Sequence, residues 1–219
     1  MKRLFIVVEG QTEEEFVNVL LSPYLNNFGI YDVRATKITT SKGYKGGFVN
    51  YQHLKNDVMR LLNQSGKDVI VTTFVDLFKL PASVPDFVNI SNKFTKKNSV
   101  KEFEKSIAKD IGDIRFIPYI QMHEFEALLF SSTKGFSTYY ENEKSVINGV
   151  TKIMNEFSNP EDINSDKPPS YRIKELTLNY DKIVYGNIMV LEIGIETILE
   201  KCPRFKNWVE RIISKMQIV

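Results

Sequence analysis

Glu9 closes the apolar run Leu4-Phe5-Ile6-Val7-Val8, and Asp76 closes another, Thr72-Thr73-Phe74-Val75. A carboxylate at the tip of a buried strand is costly unless it is paired, hydrogen-bonded or bound to a metal. Two such tips side by side are a means of collecting a hard divalent cation. A third polar group follows in Gln121-Met122-His123-Glu124-Phe125-Glu126, which packs an amide, an imidazole and two carboxylates ahead of an apolar stretch. If these strands are neighbours, Glu9, Asp76 and Glu124 or Glu126 converge, and a bound cation relieves the repulsion between like charges. Oxygen-only ligands favour Mg²⁺ or Mn²⁺ over zinc. Plainer readings stand beside this one: Glu14, Glu15, Glu124 and Glu126 all suit a first helical turn, and His123 suits a cap or a core position.

The elements that must position these groups follow from patterning. Leu4 to Val8 is apolar at every position, the mark of a strand covered on both faces and hence of a parallel sheet between helices. Gly10 turns the chain, Thr12 is placed as an N-cap with Glu15 completing a capping box, and a helix runs on through Phe16, Leu20 and Tyr24. Glu13 shares its core-facing side and points back at Glu9. Tyr31 to Thr39 alternates as a second strand. Tyr51, Leu54, Val58, Leu61 and Leu62 have helical spacing. Asp68 to Val75 is the third strand. Residues 78–98 carry Pro81 and Pro85 and are expected to form a long loop, with a helix from Ser99 to Ile111 and a fourth strand from Ile114 to Ile120. Beyond Phe136 the pattern is helical, with an apolar stripe at Val146, Val150, Ile153 and Phe157 and a last helix carrying Phe205, Trp208 and Ile212 behind Pro203. The expected fold class is α/β, an open, mainly parallel Rossmann-like sheet with helices on both faces. Residues 1–132 form this core, and residues 133–219 form a mainly helical extension packed on it.

The chain has 219 residues, 42% hydrophobic and 26% charged, which is globular composition, and a formal net charge of +2. The single cysteine, Cys202, excludes an internal disulfide and a cysteine-rich zinc site. No segment reaches the roughly 20 apolar residues of a membrane span, and no secretion signal is evident, so a cytoplasmic location without membrane association is expected. The distribution of charge is more informative than its sum. Between Asp32 and Asp57 no acid occurs, while Lys42 and Lys45 flank Gly43, Tyr44, Gly46 and Gly47. Lys93, Lys96, Lys97 and Lys101 form a second basic cluster. Ser170, Arg172 and Lys174 follow a proline-rich loop. Ser170 serves there either as an N-cap or as a phosphate contact.

Glu9-Gly10-x-x-Glu13 at the end of a first strand, with an acid closing a later one, resembles the Toprim fold of topoisomerases, bacterial primases and OLD-type nucleases. Val8-Glu9-Gly10-Gln11-Thr12-Glu13-Glu14 is most similar to the OLD-type start. Further segments are similar to a bacterial family of small Toprim-like proteins, often encoded beside ATPases in mobile or defence loci: the stretch around His123, then Pro169-Ser170-x-Arg172-Ile173, and Lys201-Cys202-Pro203-Arg204-Phe205-x-x-Trp208. The resemblance spans nearly the whole chain. One departure is that Asp76 is followed by Leu77 and Phe78, where Toprim proteins usually have Asp-x-Asp.

The resemblance implies phosphodiester chemistry on DNA or RNA, as a nuclease with a separate ATPase as partner in an antiviral or mobile-element defence system. Glu9, Glu13 and Asp76 would be metal ligands for Mg²⁺ or Mn²⁺; that Glu126 or Glu124 supplies the missing oxygen ligand is a hypothesis from the residues that the family motif does not itself contain. Glu9, His123 and Glu124 would be catalytic. Lys42, Tyr44, Lys45, Arg172 and Lys174 would meet the nucleic acid through phosphate contacts and stacking. Homo-oligomerisation is left open. The competing expectation is a non-catalytic nucleic-acid-binding or regulatory subunit with an incomplete acid set. A third, a phosphorylation-accepting receiver domain, lacks an evident carboxyl-terminal strand bearing lysine.

Overall fold

The computed structural model describes residues 2–41, 44–64, 66–78, 80–163, 167–177 and 180–217. The chain opens with strand β1 (Arg3–Val8) and helix α1 (Gln11–Phe16), which continues through a wider-wound turn at Val17–Leu21 into α2 (Ser22–Asn26). Strand β2 (Val33–Lys37) is followed by a small hairpin of β3 (Thr39–Ser41) and β4 (Tyr44–Lys45), then by α3 (Tyr51–Gln64) and β5 (Val69–Asp76). Helices α4 (Phe87–Lys93) and α5 (Lys96–Ile111) precede two short strands, β6 (Phe116–Ile117) and β7 (Ile120–Gln121), and a tight helical segment, Phe125–Ser131. The rest is helical: α6 (Lys134–Tyr139), α7 (Lys144–Glu156), a single turn at Pro160–Asp162, α8 (Pro169–Leu176), a wide turn at Lys182–Gly186, α9 (Asn187–Ile193), α10 (Ile195–Lys201) and α11 (Pro203–Gln217).

The sheet runs in the order β2-β1-β5-β6, with β7 pairing β5 further along, and every one of these pairings is parallel. Alternation along the central strands divides the core in two. Leu4, Ile6, Val8, Ile70 and Phe74 face α1, α2 and the carboxyl-terminal helices, while Phe5, Val7, Val69, Val71 and Val75 face α3, α4 and α5. This two-sided burial is why the strands are apolar at every position. Phe205 and Trp208 of α11 pack on Phe74 with ring centroids 6.1 and 5.5 Å away, so the last helix closes the first of these cores.

Five local expectations give way. Thr12 lies inside α1 rather than capping it. Gly10 holds the cap position with no side-chain bond, and the Thr12 side is buried against the carboxyl-terminal helices. The expected loop after Phe78 contains α4, and α5 begins at Lys96 with Thr95 as its cap residue instead of Ser99. The expected fourth strand is split at Pro118, which has no N–H to give a ladder. There the Thr73 hydroxyl both accepts the Tyr119 N–H and donates to the Tyr119 carbonyl, each at 2.8 Å, bridging the gap before β7. Ser170 is the second residue of α8, not its cap.

Candidate active site

The carboxyl ends of β1, β5 and β7 bring the acids together. Asp76 is the last residue of β5 and pairs in register with Gln121, which puts the His123–Glu126 segment alongside it. Glu9 follows β1, and its Oε2 accepts the Asp76 N–H at 3.3 Å. Glu13 is one helical step into α1, on its buried side as expected. Glu13, Asp76 and Glu126 are only 3%, 7% and 2% exposed, so their charges have been removed from water.

At their centre stands a residue the sequence reading missed. Lys182 Nζ lies 3.1 Å from Glu13 Oε1, 3.4 Å from Glu126 Oε2 and 3.6 Å from Asp76 Oδ2. Its ammonium also sits 5.6 Å from the centre of the Phe125 ring. The local reason for its placement is Asp181, whose Oδ1 accepts the Ile183 and Val184 N–H groups at 2.8 and 3.1 Å and so starts the turn that aims Lys182 inward. Gly186 ends that turn against the Phe125 ring, where a Cβ would stand 3.3 Å from Cε1. Nothing in the periodicity around Asp181-Lys182 marks a functional residue; only the capping acid could have hinted at a fixed turn.

The electrostatics are strained in one direction. Burial raises the pKa of Asp76, and Glu13, Glu9 and Glu126 raise it further against the pull of Lys182. Burial likewise raises Glu9 and Glu126 above the ordinary carboxylate range. Burial disfavours the charged form of Lys182, yet Asp76, Glu126 and Glu13 outweigh it and hold the ammonium protonated. One cation does not satisfy this many acids. Asp76 Oδ1 and Glu126 Oε2 are buried with no hydrogen-bond partner among the described residues, and the same is true of the Tyr180 hydroxyl beside them. Carboxylate oxygens are the donor type a hard divalent cation takes, so Glu13, Asp76 and Glu126 would be the residues to hold one, but the centre they share is taken by the Lys182 ammonium. Among the described residues no three acid, imidazole or thiol groups are placed to hold a metal ion.

The other expected site residues divide. His123 is buried with its backbone in the left-handed region at φ 62°, and its carbonyl accepts the Phe78 N–H at 2.8 Å, which fixes the turn after β7. Glu124 turns away from the cluster with one oxygen, Oε2 accepting the Ser170 N–H at 3.0 Å in the first turn of α8. Glu14 pairs with Lys37, and Glu15 accepts from Asn187 Nδ2 at 3.2 Å, which accounts for both structurally. The basic glycine loop reaches the site through its backbone: the Gly47 N–H donates to the Glu9 carbonyl at 2.7 Å, with Gly46 and Gly47 at φ 111° and 83°. Lys42 lies outside the described residues, as do the side chains of Tyr44 and Lys45. Arg172 is engaged elsewhere, its Nε donating to the Lys167 carbonyl at 3.0 Å and its guanidinium 5.0 Å from the Phe157 ring centre, while Lys174 is exposed. Among the described residues no helix is long and apolar enough to cross a membrane.

Fold and site define an α/β protein with a parallel sheet whose central strands end in a lysine-bridged cluster of buried carboxylates. The chain belongs to the family described as "Domain of unknown function (DUF4276)", whose model matches residues 8–213. Among solved structures it is similar to the C-terminal region of the Xanthomonas campestris pv. campestris OLD protein, with 13% identity over 98% of this chain and 92% of that one and a TM-score of 0.48. It is also similar to the C-terminal region of the Burkholderia pseudomallei OLD protein, with 12% identity, 97% and 99% coverage and a TM-score of 0.49. No curated protein matches.

Proposed function

We propose that the chain is a Mg²⁺- or Mn²⁺-dependent phosphodiesterase acting on DNA or RNA, the effector partner of a separate ATPase in a defence system. The observation that carries the chemistry is the set of buried, incompletely satisfied oxygens of Glu13, Asp76 and Glu126 around Lys182. Glu13, Asp76 and Glu126 would be the residues to hold a divalent ion, which when bound would supply Lewis acidity toward a phosphate oxygen and toward water. Lys182 sets one positive charge where negative charge grows on the phosphate. Glu9, with its pKa raised and its Oε2 held by the Asp76 N–H, is suited to move a proton. His123 is assigned to a proton transfer or a phosphate hydrogen bond, and Glu124 to supporting the site through α8. The loop around Gly46 and Gly47, whose Gly47 N–H donates to the Glu9 carbonyl, is assigned to the nucleic-acid backbone, and Lys42, Tyr44, Lys45, Arg172 and Lys174 to further nucleic-acid contacts. The ATPase and defence roles follow from the motif resemblance alone.

A second reading, a non-catalytic nucleic-acid-binding or regulatory subunit, is favoured by one feature: Leu77 and Phe78 follow Asp76, so the acid set is incomplete. Incubation of the protein with plasmid, linear single-stranded DNA and RNA separates the two. Cleavage that needs Mg²⁺ or Mn²⁺ and disappears in both Glu13→Gln and Asp76→Asn supports the enzyme. Binding without cleavage, even with the neighbouring ATPase present, overturns it in favour of the regulator.

A further inference from the structure

A second polar region lies at the β6/β7 edge of the sheet, where α5 from one face and α11 from the other approach without covering it. Between them is a cavity of about 320 Å³ whose charged lining is Lys101, Glu104, Arg204 and Arg211. Three cations thus face one carboxylate. That carboxylate is already taken, since Glu104 Oε1 accepts from Arg204 Nη2 at 2.7 Å and from the Ile120 N–H at 3.0 Å. Arg204 Nε is buried with no hydrogen-bond partner among the described residues, and Lys101 and Arg211 are exposed, with Arg211 in electrostatic contact with Glu104. The excess of positive charge is held in place: the backbone N–H groups of Arg204 and Phe205 donate to Glu161 at 2.7 and 3.0 Å, and the Arg204 guanidinium stands 5.9 Å from the Tyr119 ring centre.

We propose that this cavity is an anion site separate from the acid cluster, taking the phosphate of a nucleotide or of a nucleic-acid strand. A guanidinium pair and an ammonium around a small cleft suit a tetrahedral polyanion better than a lone carboxylate, because guanidinium donors engage two oxygens at once. The volume admits a phosphate or pyrophosphate group with part of its nucleoside. Because Arg204 also donates to the Ile120 carbonyl at 3.4 Å, a ligand there touches the strand that leads to His123 and Glu126. This assignment stands whether or not the protein cleaves nucleic acid.

The chain supplies its own reporter, since Trp208 is its single tryptophan and lines the cavity. Trp208 emission is followed in EDTA, at constant ionic strength, during titration with pyrophosphate, a 5′-mononucleotide or a single-stranded oligonucleotide. A saturable change with at least one of them is expected, at least about tenfold weaker in Lys101→Ala/Arg211→Ala, since charge-assisted contacts are the stronger kind. Saturation by mononucleotide and pyrophosphate alone identifies a free nucleotide as the source, and tighter binding of the oligonucleotide identifies a strand. Both substituted residues are exposed, and a melting curve checks that the variant is folded. No saturable change with any probe, equal affinity in the double variant, or abolition of the signal by Asp76→Asn would each overturn the proposal.

Discussion

Two clusters of buried acids lie at opposite margins of β5 and β7, and they are built on opposite terms. In the α11 cluster every acid has found its donors: Glu161 takes two backbone N–H groups, and Glu104 takes one backbone N–H and a guanidinium. In the cluster around Lys182 the acids share one ammonium and keep orphan oxygens. Burial raises Glu104 and Glu161 as it does Asp76 and Glu126, so shifted acidity alone does not distinguish structure from chemistry. Hydrogen-bond satisfaction does. Orphan oxygens reduce stability and are kept where something else is to be bound.

The largest expected effect is on activity. Asp76→Asn or Glu13→Gln lowers metal-dependent cleavage by about 10²–10³-fold, the scale for losing one preorganised charge contact, while Glu161→Gln keeps it near wild type. Single-turnover rates on a labelled strand check this, and equal losses from both clusters would erase the distinction. Next comes stability. Glu161→Ala strands two buried N–H groups and costs about 3 kcal/mol, whereas Asp76→Asn in metal-free buffer at pH 8 is neutral or stabilising, as it removes a like charge from a dry site. Urea unfolding measures both.

Divalent ions sharpen the same contrast. At a hundredfold excess over Kd, Mg²⁺ or Mn²⁺ adds about 2–3 kcal/mol to the wild type and nothing to Asp76→Asn. The sign of the pH dependence follows from the raised folded pKa values of Glu9, Asp76 and Glu126. A group with a raised folded pKa contributes stability that is present at low pH and is lost as pH rises through that value. The metal-free wild type therefore loses stability relative to Asp76→Asn as pH climbs above the ordinary value of 3.8 for the aspartate. Divalent-ion stabilisation grows over the same interval, and melting curves from pH 5 to 8 that ran parallel would contradict this. The smallest effect is Thr73→Val, which removes the hydroxyl bridge at Pro118 and costs about 1–2 kcal/mol without altering metal response.

Much of the sheet was legible because burial on both faces leaves a direct mark: Leu4 to Val8 and Val69 to Val75 are apolar at nearly every position, and their terminal acids stand out by contrast. The parallel neighbours, the inward turn of Glu13 and the core role of Phe205 and Trp208 followed from the same periodicities. The capping arguments were weaker. Thr12 and Ser170 satisfy the local pattern for an N-cap, but tertiary packing placed both inside helices and gave the cap positions to Gly10 and Pro168. The strand break at Pro118 depended on Thr73, a cross-strand partner that no window along the chain contains.

Local order along the chain thus decided the strands, their helices and the acids at their tips, since hydrophobic alternation and turn residues act between near neighbours. Only the folded molecule decided that Lys182 would stand among Glu13, Asp76 and Glu126, and that Glu124 would turn to α8. Coulombic contact and desolvation depend on distance through space, and the residues concerned are far apart in sequence.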